Sequence, residues 1–306
     1  MIAFIARRFA SLIVVLFCVV TITFFLVRLA PGNPFSRERK IPEAIEKQLL
    51  ARYKLDGTAW QQYTNYLADL SRGDLRLSTK YRDRSVNELV ADGLPVSAML
   101  GGAAFLLATT VGVWLGTLAA VRQHTRVDAG AMLGALFLIS IPTFVTGPIL
   151  IFIFALNVRA LPVGGWSSPL SLVLPAITLA GPYIAYIARL MRSSMLEVLS
   201  QDYIRTARAK GLDERRVIYR HALKVAILPV VSFLGPLAAN LLTGSIVVET
   251  IFNIPGMGGY FVNSILNRDV FLLNGVVIVY CTLLVVLNLF VDVAYTHLDP
   301  RIKLYE

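Results

Sequence analysis

Arg205, Arg208 and Lys210 stand just before Gly211, and Arg215, Arg216, Arg220 and Lys224 follow it closely. From Arg189 to Lys224 there are nine Lys/Arg against four Asp/Glu. Cations gathered in this way bind anionic surfaces, but they do not by themselves make or break bonds. The residue patterns that do bond chemistry are missing. The dipeptide Gly-Lys is absent, so there is no G-x-x-x-x-G-K-[ST] loop to cradle nucleotide phosphates. Neither an H-E-x-x-H zinc helix nor a G-x-S-x-G nucleophile elbow occurs. His124, His221 and His297 are far apart and read as interfacial or solvated side chains. Cys18 and Cys281 lie inside apolar runs and read as small packing residues. No catalytic residue and no metal site is expected.

The elements around the basic stretch follow from local rules. A helix is expected from Tyr203 to Lys210, with Gly211 at the position after its end, where a left-handed conformation costs glycine little. Asp213 is a plausible N-cap for a second helix from Glu214 to about Lys224. On that helix Val217, Ile218 and Leu223 turn inward, and Arg215, Arg216, Arg220 and Lys224 face out. The pattern leaves two readings open: a basic amphipathic segment lying on anionic lipid, or a short helix offered to a cytosolic protein. A DNA-binding helix-turn-helix does not suit a place between two membrane spans.

Those spans come from composition. The 306 residues are 56% hydrophobic, with a mean hydropathy of +0.67. Six uncharged runs are long enough to cross a bilayer: Arg8 to Arg28, Asp92 to Arg122, Asp128 to Arg159, Arg159 to Arg189, Lys224 to Glu249 and Asp269 to Asp292. In the fourth, Pro162 to Pro169 is turn chemistry, so only about Leu170 to Ala188 needs to span. The first run is expected to be a retained helix, because it exceeds a signal-peptide core and no small-x-small site follows it. With the N-terminus inside, six spans return the C-terminus inside. The inside segments then hold 15 Lys/Arg and the short outside loops only Arg159 and Arg268. The net charge of +10 therefore reflects membrane topology, and no nucleic-acid partner is needed to explain it. The expected division is 1–30 (cytoplasmic N-terminus and first helix), 31–94 (external), 95–297 (a five-helix core with a cytoplasmic loop at 190–225) and 298–306 (cytoplasmic tail). In the external segment, helices are expected over Pro42 to Tyr53 and Thr58 to Leu70. Thr58 would cap the second, Trp60, Tyr63, Leu67 and Leu70 would share one face, and Gly73 would end it. The segment reads as a packing lid or as a docking surface for an external partner. No formal charge sits mid-span, which disfavours an ion-gradient-driven secondary carrier.

The stretch from Arg205 to Leu212, R-T-A-R-A-K-G-L, with H-A-L at His221 to Leu223 and L-P at Leu228 and Pro229, resembles the cytoplasmic loop motif of permease subunits of binding-protein-dependent ABC importers, in the wording of their peptide branch. Arg28 to Pro34, Glu249 to Gly258 and Leu298 to Arg301 resemble other signatures of that branch. The resemblance covers the whole chain and is closest to the B-type permeases of oligopeptide uptake; dipeptide, nickel and glutathione permeases share most of these motifs. It implies an all-α integral membrane protein of type I ABC importer permease architecture in the bacterial cytoplasmic membrane. It further implies a heterodimer with a second homologous permease, two cytosolic ATP-binding subunits that hold the ATP and Mg, and an external peptide-binding protein. No cofactor would be bound by this chain. Tyr203, Ala207, Gly211 and Leu212 are the residues it assigns to ATPase coupling, with Arg205, Arg208 and Lys210 as flanking charge contacts. Asn240, Thr243 and Ser245 are small polar groups of the fifth span that either line a pathway or bond helix to helix.

Overall fold

The fold was read from a computed structural model that describes residues 2–29, 43–242 and 245–298. The helices are α1 Ile2–Leu29, α2 Glu43–Arg52, α3 Ala59–Ser71, α4 Val86–Val121, α5 Arg126–Ser140, α6 Thr143–Leu150, α7 Val173–Leu199, α8 Asp202–Ala209, α9 Glu214–Arg216, α10 Leu223–Ala226, α11 Leu228–Leu242, α12 Ile246–Ile251, α13 Met257–Leu266 and α14 Val270–Leu298. Among the described residues five stretches are long and apolar enough to cross a membrane: Phe9–Leu26, Val86–Val121, Pro169–Leu199, Leu228–Ile251 and Val270–Phe290. The third uncharged run is different. Its helices Arg126–Ser140 and Thr143–Asn157 meet at 105°, so it makes a sixth span only if the bent pair counts as one. The break falls where proline puts it: Ile141 takes an extended conformation (φ −90°, ψ 121°), as a residue before proline must, and Pro142 stands just ahead of α6.

The described residues form two compact units. One comprises the residues up to Ser97 together with Pro255–Leu283. Its core joins Val20 and Phe24 of α1 to Tyr63 and Tyr66 of α3, Val86 and Leu89 of α4, and Phe271 and Leu272 of α14. Thr58 and Gln61 form a reciprocal capping box that starts α3. Tyr63, Leu67 and Leu70 of the expected face pack in this core, and the departure is confined to the first turn. Tyr63 and Tyr66 are buried, whereas Trp60 in the first turn is 66% exposed and only lies against the Tyr63 ring. Tyr66 instead stacks on Phe24 at 5.8 Å, and the Thr21 and Tyr63 hydroxyls bond at 2.6 Å. Helix α3 is thereby held on α1 by aromatic contacts, each worth ~0.5–1.5 kcal/mol beyond burial. α4 starts at Val86, inside the stretch 31–94, because the Ser85 hydroxyl accepts the Glu88 N–H.

A buried ion cluster lies under this cap. The Arg76 guanidinium sits over the Tyr66 and Phe271 rings at 5.4 and 5.2 Å, and its Nε donates to Asp69 Oδ2 at 2.8 Å. Lys54 Nζ reaches the same carboxylate at 3.0 Å. Burial works to raise the Asp69 pKa, but the bonds from Lys54 and Arg76 hold it below the ordinary 3.8. A depressed carboxylate stabilises the fold above its unfolded value, and that stability is lost as pH falls through the lower folded value. Asp69→Asn leaves a buried guanidinium uncompensated, a change that costs about 3–5 kcal/mol. Protease cleavage within residues 45–85 is the readout, and it should rise in this variant at neutral pH and in the parent only below pH ~4.

The second unit holds Ala98–Ile254 and the residues from Leu284 on. α7 is its centre and packs against α5, α6, α10 and α11. Gly112 and Gly116, four residues apart on α4, let α7 approach closely. A Cβ on Gly116 would lie 2.4 Å from the Ala188 carbonyl oxygen, and one on Gly112 would lie 2.7 Å from Ile187 Cβ. This is the small-xxx-small packing of membrane helices.

Candidate functional site

The basic loop leaves α7 at Ser200 and turns at Gln201 into α8. Asp202 stands in the first turn of α8 and Arg208 in its last, each on the favourable end of the helix dipole. Ile204 and Ala207 point inward, while Tyr203, Arg205, Thr206, Arg208 and Lys210 are exposed. The helix ends in a double bond pattern: the Leu212 N–H reaches the Ala207 carbonyl at 3.4 Å and the Gly211 N–H the Arg208 carbonyl at 2.9 Å. With Gly211 at φ +76°, this is the Schellman arrangement, which commonly draws together the side chains at the positions of Ala207 and Leu212. Ala207, Gly211 and Leu212 therefore shape the turn, and Tyr203, Arg205 and Lys210 stand exposed beside it.

Two of the cations are engaged within the loop. Arg208 makes a forked pair with Glu214 at 2.8 and 3.1 Å, bracing the two sides of the glycine turn. The Arg208 bond holds the Glu214 carboxyl below its ordinary pKa. Arg205 reaches Asp202 at 3.4 Å, with both side chains well exposed. Asp213 caps α9 by accepting the Arg215 N–H. The second helix is not a continuous α-helix: Val217–Ala222 widens into a π turn. That geometry puts positions five apart on one face, so Val217 and Ala222 are buried together with Ile218, while Arg215, Arg216, Arg220 and Lys224 remain outside. α8 rests on this π turn, and the turn rests on α7. Pro229 falls in the first turn of α11, where its missing N–H costs nothing.

A second tie runs from α7. Arg192 Nε and Nη2 donate to the two oxygens of Asp128 at 2.6 and 2.7 Å, and Asp128 also accepts the His124 N–H. The pair joins the start of α5 to the last turns of α7, close to α8 in sequence. Arg192→Ala leaves a largely buried carboxylate without its counter-charge. The variant should melt several degrees below the parent, and Asp128→Asn combined with it should recover part of the loss.

The three small polar residues of the fifth span separate. Asn240 is exposed and donates to the Tyr183 hydroxyl of α7 at 2.8 Å. The Ser245 hydroxyl accepts the Val248 N–H and caps α12. Thr243 lies outside the described residues, as do residues 30–34 of the Arg28–Pro34 motif and the tail from residue 299. The structure shows a row on α7 that sequence reading missed: Tyr186, Arg189, Ser193 and Glu197 are exposed and follow half-buried Tyr183, with Tyr183 meeting Asn240 and Tyr186 meeting Phe233 of α11. Their spacing of three or four residues was the available signal.

The family model described as binding-protein-dependent transport system inner membrane component matches residues 112–304. The chain belongs to this family. As an inner membrane component of such a system, the permease works with ATPase and substrate-binding partners. It is 47% identical over 305 residues to the oligopeptide transport system permease protein OppB of Salmonella typhimurium (strain LT2), covering 99% of this chain and 100% of that one. It is 45% identical to the dipeptide transport system permease protein DppB of Bacillus subtilis (strain 168), covering 98% and 97%. Among solved structures, a chain of the MetNI methionine ABC transporter aligns with a TM-score of 0.59 at 16% identity, covering 69% of this permease and 96% of that chain. The fold is thus that of a type I ABC importer permease, as the sequence motifs implied.

Proposed function

We propose that this permease imports oligopeptides across the cytoplasmic membrane, with both termini on the cytoplasmic side. It pairs with a second, homologous permease and receives peptide from an external binding protein. Two cytosolic subunits hold the ATP and Mg and supply the work. The observation that carries the reading is the 47% identity to an oligopeptide permease over the full length of both chains. The loop supplies the mechanism. α8 is a short, stiff helix with an exposed aromatic and basic face, ended by a fixed glycine turn and seated on the π turn against α7. A rigid displacement of α8 by an ATPase is therefore delivered to the most buried candidate span of the chain. In this reading Tyr203, Arg205 and Lys210 touch the ATPase. Ala207, Gly211 and Leu212 set the helix end, and Arg208 braces it.

The test is ATP-driven uptake by the reconstituted complex, comparing labelled tetrapeptides and pentapeptides with dipeptides. Oligopeptide uptake that requires both ATP and the binding protein supports the reading. Exclusive uptake of dipeptides would move the chain to the dipeptide branch, which the 45% identity to DppB makes the second reading. Uptake driven by an ion gradient without ATP would overturn both.

A further inference from the structure

Tyr183 lies fourteen residues from Pro169 and sixteen from Leu199; Asn240 lies twelve from Leu228 and eleven from Ile251. Both thus fall inside stretches apolar enough to cross a membrane, Tyr183 six residues before Arg189 and Asn240 in the last turn of α11. They bond to each other at 2.8 Å. Beside them the rings of Tyr186 and Phe233 lie against one another with centroids 4.4 Å apart. Asn240 and Tyr186 are exposed at the surface of the chain. Elsewhere the exposed side chains of the spans are mostly apolar, as with Phe9, Ile13 and Phe17 of α1 or Leu133, Leu136 and Phe137 of α5, and exposed hydroxyls such as Thr110 and Ser140 bond back to their own helix. An amide is costlier to turn toward hydrocarbon than such a hydroxyl. The face formed by α7 and α11 is therefore turned away from lipid.

We propose that Asn240 and Tyr183, walled by Tyr186 and Phe233, read the main chain of the peptide in transit. The inference rests on the peptide-import reading above. Both polar groups are neutral, and each can donate and accept. That matches the C=O and N–H which every peptide presents, whatever its side chains. The nearest formal charge along α7 is Arg189, six residues on and about 9 Å away along the axis. The pair itself, being uncharged, neither selects nor rejects a charged side chain. The two aromatic faces offer contact to any side chain, because dispersion and ring faces carry little sequence preference. Selection among peptides by side chain would then fall to the external binding protein.

The experiment uses proteoliposomes holding the complete transporter with saturating binding protein. The substrates are a peptide, its twin with one N-methylated backbone amide, and acidic, basic and apolar peptides of equal length. The unaltered transporter should move the parent peptide several-fold faster than its N-methylated twin. Asn240→Leu should move both at the slower rate, with equal losses for acidic, basic and apolar peptides. Tyr183→Phe should show a smaller loss of the same kind, and Asn240→Gln should recover part of the rate. Because every variant shares one binding protein, a change in the ratio between twins isolates the permease. Three results would each overturn the proposal: Asn240→Leu transporting like the parent, a loss confined to one side-chain charge, or a second permease that no longer co-purifies with the variant. The last would mean that the face is covered by that subunit. Failure of the unaltered transporter to move any peptide would instead overturn the import reading itself.

Discussion

Gly211→Val is expected to leave the permease in the membrane with its partners bound, while substrate-stimulated ATP hydrolysis and uptake fall by about tenfold or more. The cause is conformational. A Cβ at Gly211 would meet nothing within 4 Å, so no clash is introduced. The backbone stands at φ +76°, where a side-chain-bearing residue is disfavoured by roughly 1–2 kcal/mol and a β-branched one by more. A penalty of that size lowers the population of the correctly turned loop about tenfold. Asn tolerates the left-handed region, so Gly211→Asn should keep most of the coupling although it is the larger change in polarity. Equal loss in the Asn and Val variants would show that the glycine matters for space at an interface and not for its backbone angle.

A large effect on stability is expected at Gly116. A Cβ there lies 2.4 Å from the Ala188 carbonyl oxygen and 2.7 Å from Met191 Cβ, and both belong to the rigid interior of α7. No rotamer relieves a backbone overlap, so α4 and α7 must separate. Separation also opens the contact that Gly112 makes with Ile187. Overpacking of this kind costs ~1–3 kcal/mol for a yielding neighbour and more for a fixed one. Gly116→Leu should therefore lower the amount of folded permease in the membrane several-fold and reduce the melting temperature in detergent. A parent-like melting curve for Gly116→Leu would show that the two helices are not packed at this distance.

What the sequence disclosed was local. The order Ala207, Gly211, Leu212, Asp213 specifies a helix end and a new start within seven residues, and the structure shows both. The Thr58 cap was legible for the same reason, and the structure adds the reciprocal bond from Gln61. The third uncharged run was less so. Composition counts apolar residues and ignores direction, while the single Ile141–Pro142 step turns the chain by 105°. The face of α3 was legible at Tyr63, Leu67 and Leu70, but Trp60 stays outside while Tyr66 packs on Phe24 and Phe271, contacts from other helices that the sequence of α3 does not show. Pairs distant in sequence were out of reach. Asp128 and Arg192 are 64 residues apart, and Asn240 and Tyr183 are 57 apart. The π turn was hidden as well, since Val217 and Ala222 fit one face only after the helix widens.

The account depends on work entering through α8 from the cytoplasmic side. Tyr203 is 44% exposed on that helix and suits a reporter. Tyr203→Cys, in a background with Cys18 and Cys281 replaced by serine, should cross-link to an ATPase subunit of the assembled transporter. The yield should change when ATP is added, and a membrane-impermeant thiol reagent should reach the position only from the cytoplasm. A fully active complex whose residue 203 is labelled from the outside, or never meets an ATPase, would contradict it.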